Sequence, residues 1–285
     1  MIKVIDIFKT IGVCILGFVF LVLSQLGANM IANLIPFSKE FSFMVSCFIY
    51  IFLVTLAINL FYKFIIKEKL NLGKIPDISS MSKWVCLGVF LPLLLDLLVI
   101  FLTKGEWIQN NTTSTGMLVS FAIFGIAIPA GVCEELIFRG FMFDFVKKKF
   151  GLTTACVLPS FIFALVHILN GELNLIGTIM LLVAGTVVGV MFSMIRVVTG
   201  NIWCGIIMHI LWDLLCFNQQ NTLISLQDNP LTGNSIIGYK FYDPSLFITG
   251  GDYGIETSVI GVILYALVAA ILIHMYIKQK MKFNY

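Results

Sequence analysis

The sequence predicts an all-α fold: a polytopic transmembrane helical bundle of about eight spans, with the N- and C-termini cytoplasmic. Three observations predict it. Hydrophobic residues make up 59% of the 285 and charged residues only 12%, with a mean hydropathy of +1.02, far from the balance of a soluble domain. Runs of roughly 20 apolar residues, the length that crosses a hydrocarbon core about 30 Å thick, recur along the whole chain. Lysine and arginine collect in alternate gaps between those runs, as they do where cytoplasmic loops carry the positive charge.

In order, the spans are 10–37, 43–62, 84–103, 116–146, 152–170, 173–195, 201–217 and 257–277. The first is too long for a signal-peptide core and lacks a small-residue cleavage pattern, so it is expected to remain as a helix. Lys3 and Lys9 precede it, and Lys63, Lys67, Lys69, Lys74 and Lys83 follow the second span. Lys147, Lys148 and Lys149 follow the fourth, Arg196 the sixth, and Lys278, Lys280 and Lys282 close the chain. Eight spans place all of these on one side and leave only Lys39, Lys104 and Lys240 on the other. An odd number would mix them. The net charge of +3 therefore reflects orientation in a bilayer, and no basic patch remains for a nucleic acid.

Two connecting segments differ from the rest. The cytoplasmic segment 63–83 is basic, with Pro76 and Asp77 as turn residues, and is expected to lie on the anionic leaflet. The external segment 218–256 contains YKFYDPSLFITGGDYG and is expected to fold as a cap or gate. Asn110 and Asn111 in NNTTS read as glycosylation acceptors in a host with an endoplasmic reticulum, and as a polar external loop in a bacterium. The seven cysteines lie in apolar spans with no CxxC pair, which points to packing rather than redox or metal chemistry.

Ionisable groups inside membrane spans are expensive, so each is a candidate functional residue where a partner can be named. They are Asp96 in the third span, Glu134, Glu135, Arg139 and Asp144 in the fourth, His167 in the fifth, His209 and Asp213 in the seventh, and His274 in the last. Glu135 and Arg139 are four apart and face each other on a helix, so each offsets part of the other's desolvation. Glu134 is rotated by about 100° and must look toward another helix or water. Pro129 and Gly131 predict a kink just before the pair. Only three histidines exist, and two share a helical face with a second motif residue four positions away: Phe163 with His167, and His209 with Asp213. His274 has no acidic neighbour and reads as a residue of the helix end. At 1.5 Å per residue, Glu134 and His167 sit roughly 20 Å from the cytoplasmic end and His209 near 12 Å, heights that allow a shared cavity opening toward the cytoplasm.

A carboxylate and an imidazole that reach one water make a general base for attack on a carbonyl, and a second imidazole aimed at the carbonyl oxygen would stabilise the oxyanion. That chemistry is peptide-bond hydrolysis. The EExxxR element (Glu134, Glu135, Arg139), the FxxxH element (Phe163, His167) and the HxxxN/D element (His209, Asp213), in this order on successive helices, resemble the CAAX protease and bacteriocin-processing (Abi) family of intramembrane glutamic endopeptidases. The resemblance covers mainly 116–217, the expected catalytic core of a single domain spanning 1–285. It implies that Glu134 and His167 activate water, that His209 and Asp213 form the oxyanion site, and that Glu135 and Arg139 support them. It also implies a peptide or membrane-protein substrate, lipidated or not, with roles in prenyl-protein maturation or, in bacteria, bacteriocin immunity and peptide processing. Well-characterised prenyl-protein members carry Asn where this chain has Asp213, and orienting His209 is the role expected of the carboxylate.

The Ile-, Lys-, Asn- and Phe-rich composition points to a bacterial plasma membrane. No cofactor is implied: a divalent metal is compatible with Glu and His ligands, but no HExxH element demands one. The competing function classes are a proton-coupled transporter, for which Asp96 is the best candidate, and a non-catalytic membrane immunity or scaffold protein.

Overall fold

The computed structural model describes residues 4–109, 114–170, 173–218, 221–227 and 235–283; Asn110, Asn111 and Lys3 lie outside them. Helix α1 is Val4–Asn33, α2 is Lys39–Phe61 with a π-helical turn Tyr62–Ile66, and α3 is Ile78–Leu102. A helical stretch of 53 residues follows, Thr115–His167, about 80 Å at 1.5 Å per residue and far too long for one crossing. It breaks at Gly151 (φ 83°, ψ 179°), a backbone conformation that a residue with a Cβ rarely adopts. We call 115–150 α4 and 152–167 α5. Helices α6 (Leu175–Thr199), α7 (Trp203–Leu215) and α8 (Val259–Phe283) complete the bundle.

The all-α polytopic bundle expected from the sequence is therefore present. Among the described residues six stretches are long and apolar enough to cross a membrane, and Trp203–Leu215 is a shorter apolar helix. With the long stretch divided at Gly151, eight apolar segments correspond to the eight expected. Their outer faces present large apolar side chains such as Phe8, Leu23, Phe52, Phe101 and Leu267, all exposed, which a bilayer covers.

Capping residues set several boundaries. Ser38 accepts from the Phe41 N–H (3.4 Å), Asp77 from Ser80 (2.7 Å) and Asn174 from Gly177 (2.8 Å), so α2, α3 and α6 begin where a short polar side chain can bond a free N–H. At exposed Asp77, the backbone and side-chain hydrogen bonds from Ser80 hold the carboxyl below the usual carboxylate range. Helix α6 ends at Gly200 in the left-handed region (φ 72°).

Charge separates the two ends of the bundle. At one end Lys148 pairs with Glu68, Lys149 with Asp6 (3.2 Å) and Arg196 with Asp144 (2.5 Å). Arg196, expected just beyond its span, lies instead inside the last turn of α6 and is buried; it also donates to the carbonyls of Gly140 (3.3 Å) and Asn71 (2.9 Å). Asp144 is thereby engaged in an ion pair at this end and does not line the cavity described below.

At the opposite end the chain departs from a purely helical expectation. Strands β1 (Gly105–Gln109), β2 (Ile224–Gln227) and β3 (Ile237–Phe241) form a sheet in the order β1-β3-β2, with β1 antiparallel and β2 parallel to β3. Trp107 opposes Tyr239 in the register, and their rings meet edge to face at 5.0 Å. The strands are only four or five residues long, so their alternation was too brief to stand out within polar loops. This sheet, a helical turn at Leu246–Thr249 and two 3-10 turns account for the described part of the segment expected to cap the bundle.

Candidate active site

Helix α4 is irregular where it matters. Two π-helical segments, Phe121–Ala127 and Glu135–Met142, flank the short α-helical piece Ile128–Glu134. In place of the expected simple proline kink, the helix widens on both sides of Pro129, which sits in the first turn of the piece Ile128–Glu134 and has no N–H to give. Close packing fixes its position: a Cβ on Gly131 would fall 2.9 Å from the Ile210 backbone nitrogen, so α4 lies directly against α7.

This contact sets Glu134 and Glu135 beside His209. Glu135 is 1% exposed and its Oε1 accepts from Arg139 Nη1 at 2.8 Å and from His209 Nδ1 at 3.1 Å. Arg139 is equally buried; it donates to the Gly189 carbonyl (3.3 Å) and lies over the rings of Phe163 (4.8 Å) and Phe192 (5.3 Å). Glu135 and Arg139 thus form the ion pair expected from their spacing, and Glu135 has a second partner. Because Nδ1 of His209 donates to Glu135, Nε2 is turned outward, 3.8 Å from Glu134 Oε2 and 3.8 Å from Asp213 Oδ1. Phe192 stacks on the same imidazole at 5.0 Å and 27°.

Orientation of His209 was expected from Asp213. The geometry assigns that hydrogen bond to Glu135 and leaves Asp213 beyond hydrogen-bonding distance, on the Nε2 side.

Glu134, with 21% of its side chain exposed, opens into a cavity of about 650 Å³ whose wall also includes His167, His209 and Asp213. All four residues expected to carry catalysis therefore share one cavity. His167 Nδ1 lies 2.6 Å from the Phe163 carbonyl. A carbonyl only accepts, so Nδ1 holds the proton and the neutral ring keeps its lone pair on Nε2. The Phe163 ring packs on His167 with centroids 4.3 Å apart, which explains the FxxxH spacing: one residue supplies both the acceptor and the ring contact.

Asp96 and His274 do not line this cavity. Asp96 Oδ1 accepts from the Phe217 N–H at 2.9 Å and anchors the chain leaving α7, which gives it a structural partner. His274 is exposed on α8. Six cysteines are buried and Cys86 is exposed. Among the described residues no three or more His, Cys, Asp or Glu side chains are grouped to hold a metal ion.

The cavity opens away from the end that the sequence heights allowed. Its lining reaches Asn33 and Ser42 at the β-sheet end, and neither lysine nor arginine lines it among the described residues. The other direction is closed because every residue from Glu135 to Met142 is buried, a plug of large side chains beneath the acidic pair.

Several lining residues were not singled out in the sequence. Glu256, just before α8, contributes a carboxylate to the wall and accepts a hydrogen bond from Asn218 Nδ2. Burial raises its carboxyl above the ordinary glutamate range, against the lowering effect of Asn218 and the two nearby histidines. Nothing in sequence distinguished it from a loop glutamate. Gln25, Asn29 and Asn33 on α1, with Ser42 and Ser46 on α2, form the rim; their fourfold spacing was visible but carried no charge.

Fold and cavity define a multi-pass membrane protein with carboxylates and imidazoles gathered in a cavity within its helices. Residues 113–215 match the family model described as type II CAAX prenyl endopeptidase, Rce1-like. Over these helices, about a third of its length, the chain is similar to the CAAX protease family, a family of peptidases. No curated protein and no solved structure matched the chain.

Proposed function

We propose that the protein is an intramembrane endopeptidase in which Glu134 and His167 activate a water molecule against a peptide carbonyl. The observation that carries the reading is the single cavity lined by Glu134, His167, His209 and Asp213. Glu134 takes a proton as the water oxygen bonds to the carbonyl carbon, while His167 Nε2 accepts the other hydrogen of that water as a hydrogen bond. His209 in its protonated form donates Nδ1–H to Glu135 and Nε2–H to the developing oxyanion. Asp213, close to Nε2, offsets the charge of that imidazolium. The tetrahedral intermediate collapses as the C–N bond breaks, and the proton held by Glu134 passes to the leaving amine. One carboxyl and one amino terminus result. The substrate is a peptide or a membrane-protein segment, and the described part of the polar 218–256 segment caps the site in a bacterial plasma membrane with the Lys-rich end inside.

Purified protein in detergent should cleave a fluorogenic peptide, and Glu134→Gln and His167→Ala should each lower kcat by about 10² to 10⁴, the usual contribution of general acid–base groups. Unchanged melting temperatures would confirm that the loss is chemical. Full cleavage by either variant would remove that residue from the mechanism.

A further inference from the structure

Helix α1 carries three uncharged amides, Gln25, Asn29 and Asn33, at intervals of four residues within an otherwise apolar sequence. Polar groups in a membrane helix need a reason. Helix association is the simplest, and Ser46 Oγ does donate to Asn29 Oδ1 at 2.6 Å. The buried face of α1, however, is made by other residues, among them Leu21, Ser24, Ala28 and Ala32, whereas Gln25, Asn29 and Asn33 are exposed. All three line the cavity, with Ser42 and Ser46 facing them from α2. The stripe leads from the end of α1 toward the carboxylates.

We infer that Gln25, Asn29 and Asn33, faced by Ser42 and Ser46, bind one backbone edge of an extended peptide substrate as it enters the cavity. Spacing supports this directly. Four residues of helix rise about 6 Å, and two residues of extended chain rise about 6.6 Å, so successive amides of the stripe meet alternate residues of a strand. From Gln25 to Asn33 the stripe is roughly 12 Å long, enough for about four extended residues. Each amide both donates and accepts, as peptide groups require.

Energetics explain why such a track is needed. A substrate helix must unwind before its peptide bond can be attacked, and every N–H and C=O released in an apolar medium costs several kcal/mol unless it finds a partner. The stripe supplies those partners without adding charge. Helices α1 and α2 lie outside the residues matched to the family model, so the track belongs to this chain's own part of the site.

The inference rests on reading the cavity as proteolytic, and binding separates the two. A fluorescein-labelled twelve-residue Ala/Leu peptide, blocked at both ends, is titrated in detergent against the Glu134→Gln protein. Two analogues carry N-methyl groups on its odd or its even residues. One analogue should bind about tenfold more weakly and the other nearly normally, because only one edge faces the stripe. Asn29→Leu with Asn33→Leu in the same protein should weaken the unmethylated peptide by a similar factor and erase the difference between the analogues. Equal affinity of both analogues for the unaltered stripe, or no saturable binding, overturns the inference, and the methylation comparison still decides if the double variant fails to fold. Failure of wild-type protein to cleave the peptide would count against proteolysis while leaving the binding result to stand or fall alone.

Discussion

Arg139 offers the sharpest energetic prediction, since its environment is wholly specified. Its guanidinium bonds Glu135 at 2.8 Å and the Gly189 carbonyl at 3.3 Å, and rests against two aromatic rings within 5.3 Å. A hydrogen bond to a charged group contributes about 1.5–3 kcal/mol, and a desolvated cation–π contact up to about 2. Against them stands the cost of leaving Glu135 buried without its cation, so Arg139→Met should lose about 3–5 kcal/mol, the usual result of breaking a buried pair from one side. For a chain of this size that corresponds to a fall in melting temperature of about 10 °C. Adding Glu135→Gln removes the stranded charge while its carbonyl oxygen still accepts from His209. The double variant should regain much of the lost stability, with a coupling energy of about 2 kcal/mol in the cycle. The assay is thermal unfolding in detergent across all four proteins. Strictly additive losses, or a loss below about 1 kcal/mol for Arg139→Met, would refute the view that Arg139 is there to hold Glu135.

Gly131→Ala tests the α4–α7 contact: its Cβ would meet Ile210 Cγ1 at 2.6 Å and the Ile210 nitrogen at 2.9 Å. Overpacking should lower stability by about 1–3 kcal/mol and cleavage with it, whereas Gly12→Ala, with nothing within 4 Å, should leave cleavage intact. Glu256 predicts a pH dependence. Its folded carboxyl titrates above the unfolded one, so the native state holds a proton that the unfolded chain has lost, and stability falls as pH rises between the two values. Glu256→Gln should therefore raise the melting temperature relative to wild type at neutral pH, with the difference vanishing below the ordinary glutamate pKa of about 4.3. A difference independent of pH would contradict this assignment.

The sequence by itself determined the solvent of this protein and the pairing of its most conspicuous charges. Apolar runs of spanning length dictate helices because a bilayer offers no partner for an open backbone, and i,i+4 spacing places Glu135 against Arg139 and Phe163 against His167 without reference to the rest of the fold. The tertiary structure decided everything that depends on which helices touch. Only the close contact at Gly131 brings His209 to Glu135, and only the buried stretch from Glu135 to Met142 closes one end of the cavity, turning its mouth toward the sheet. Glu256 reached the wall from a loop, and the amides of α1 came to face the serines of α2, through contacts that no spacing along a single helix encodes. Local periodicity reports which side of a helix a residue occupies; what stands opposite is settled by packing between elements far apart in the chain.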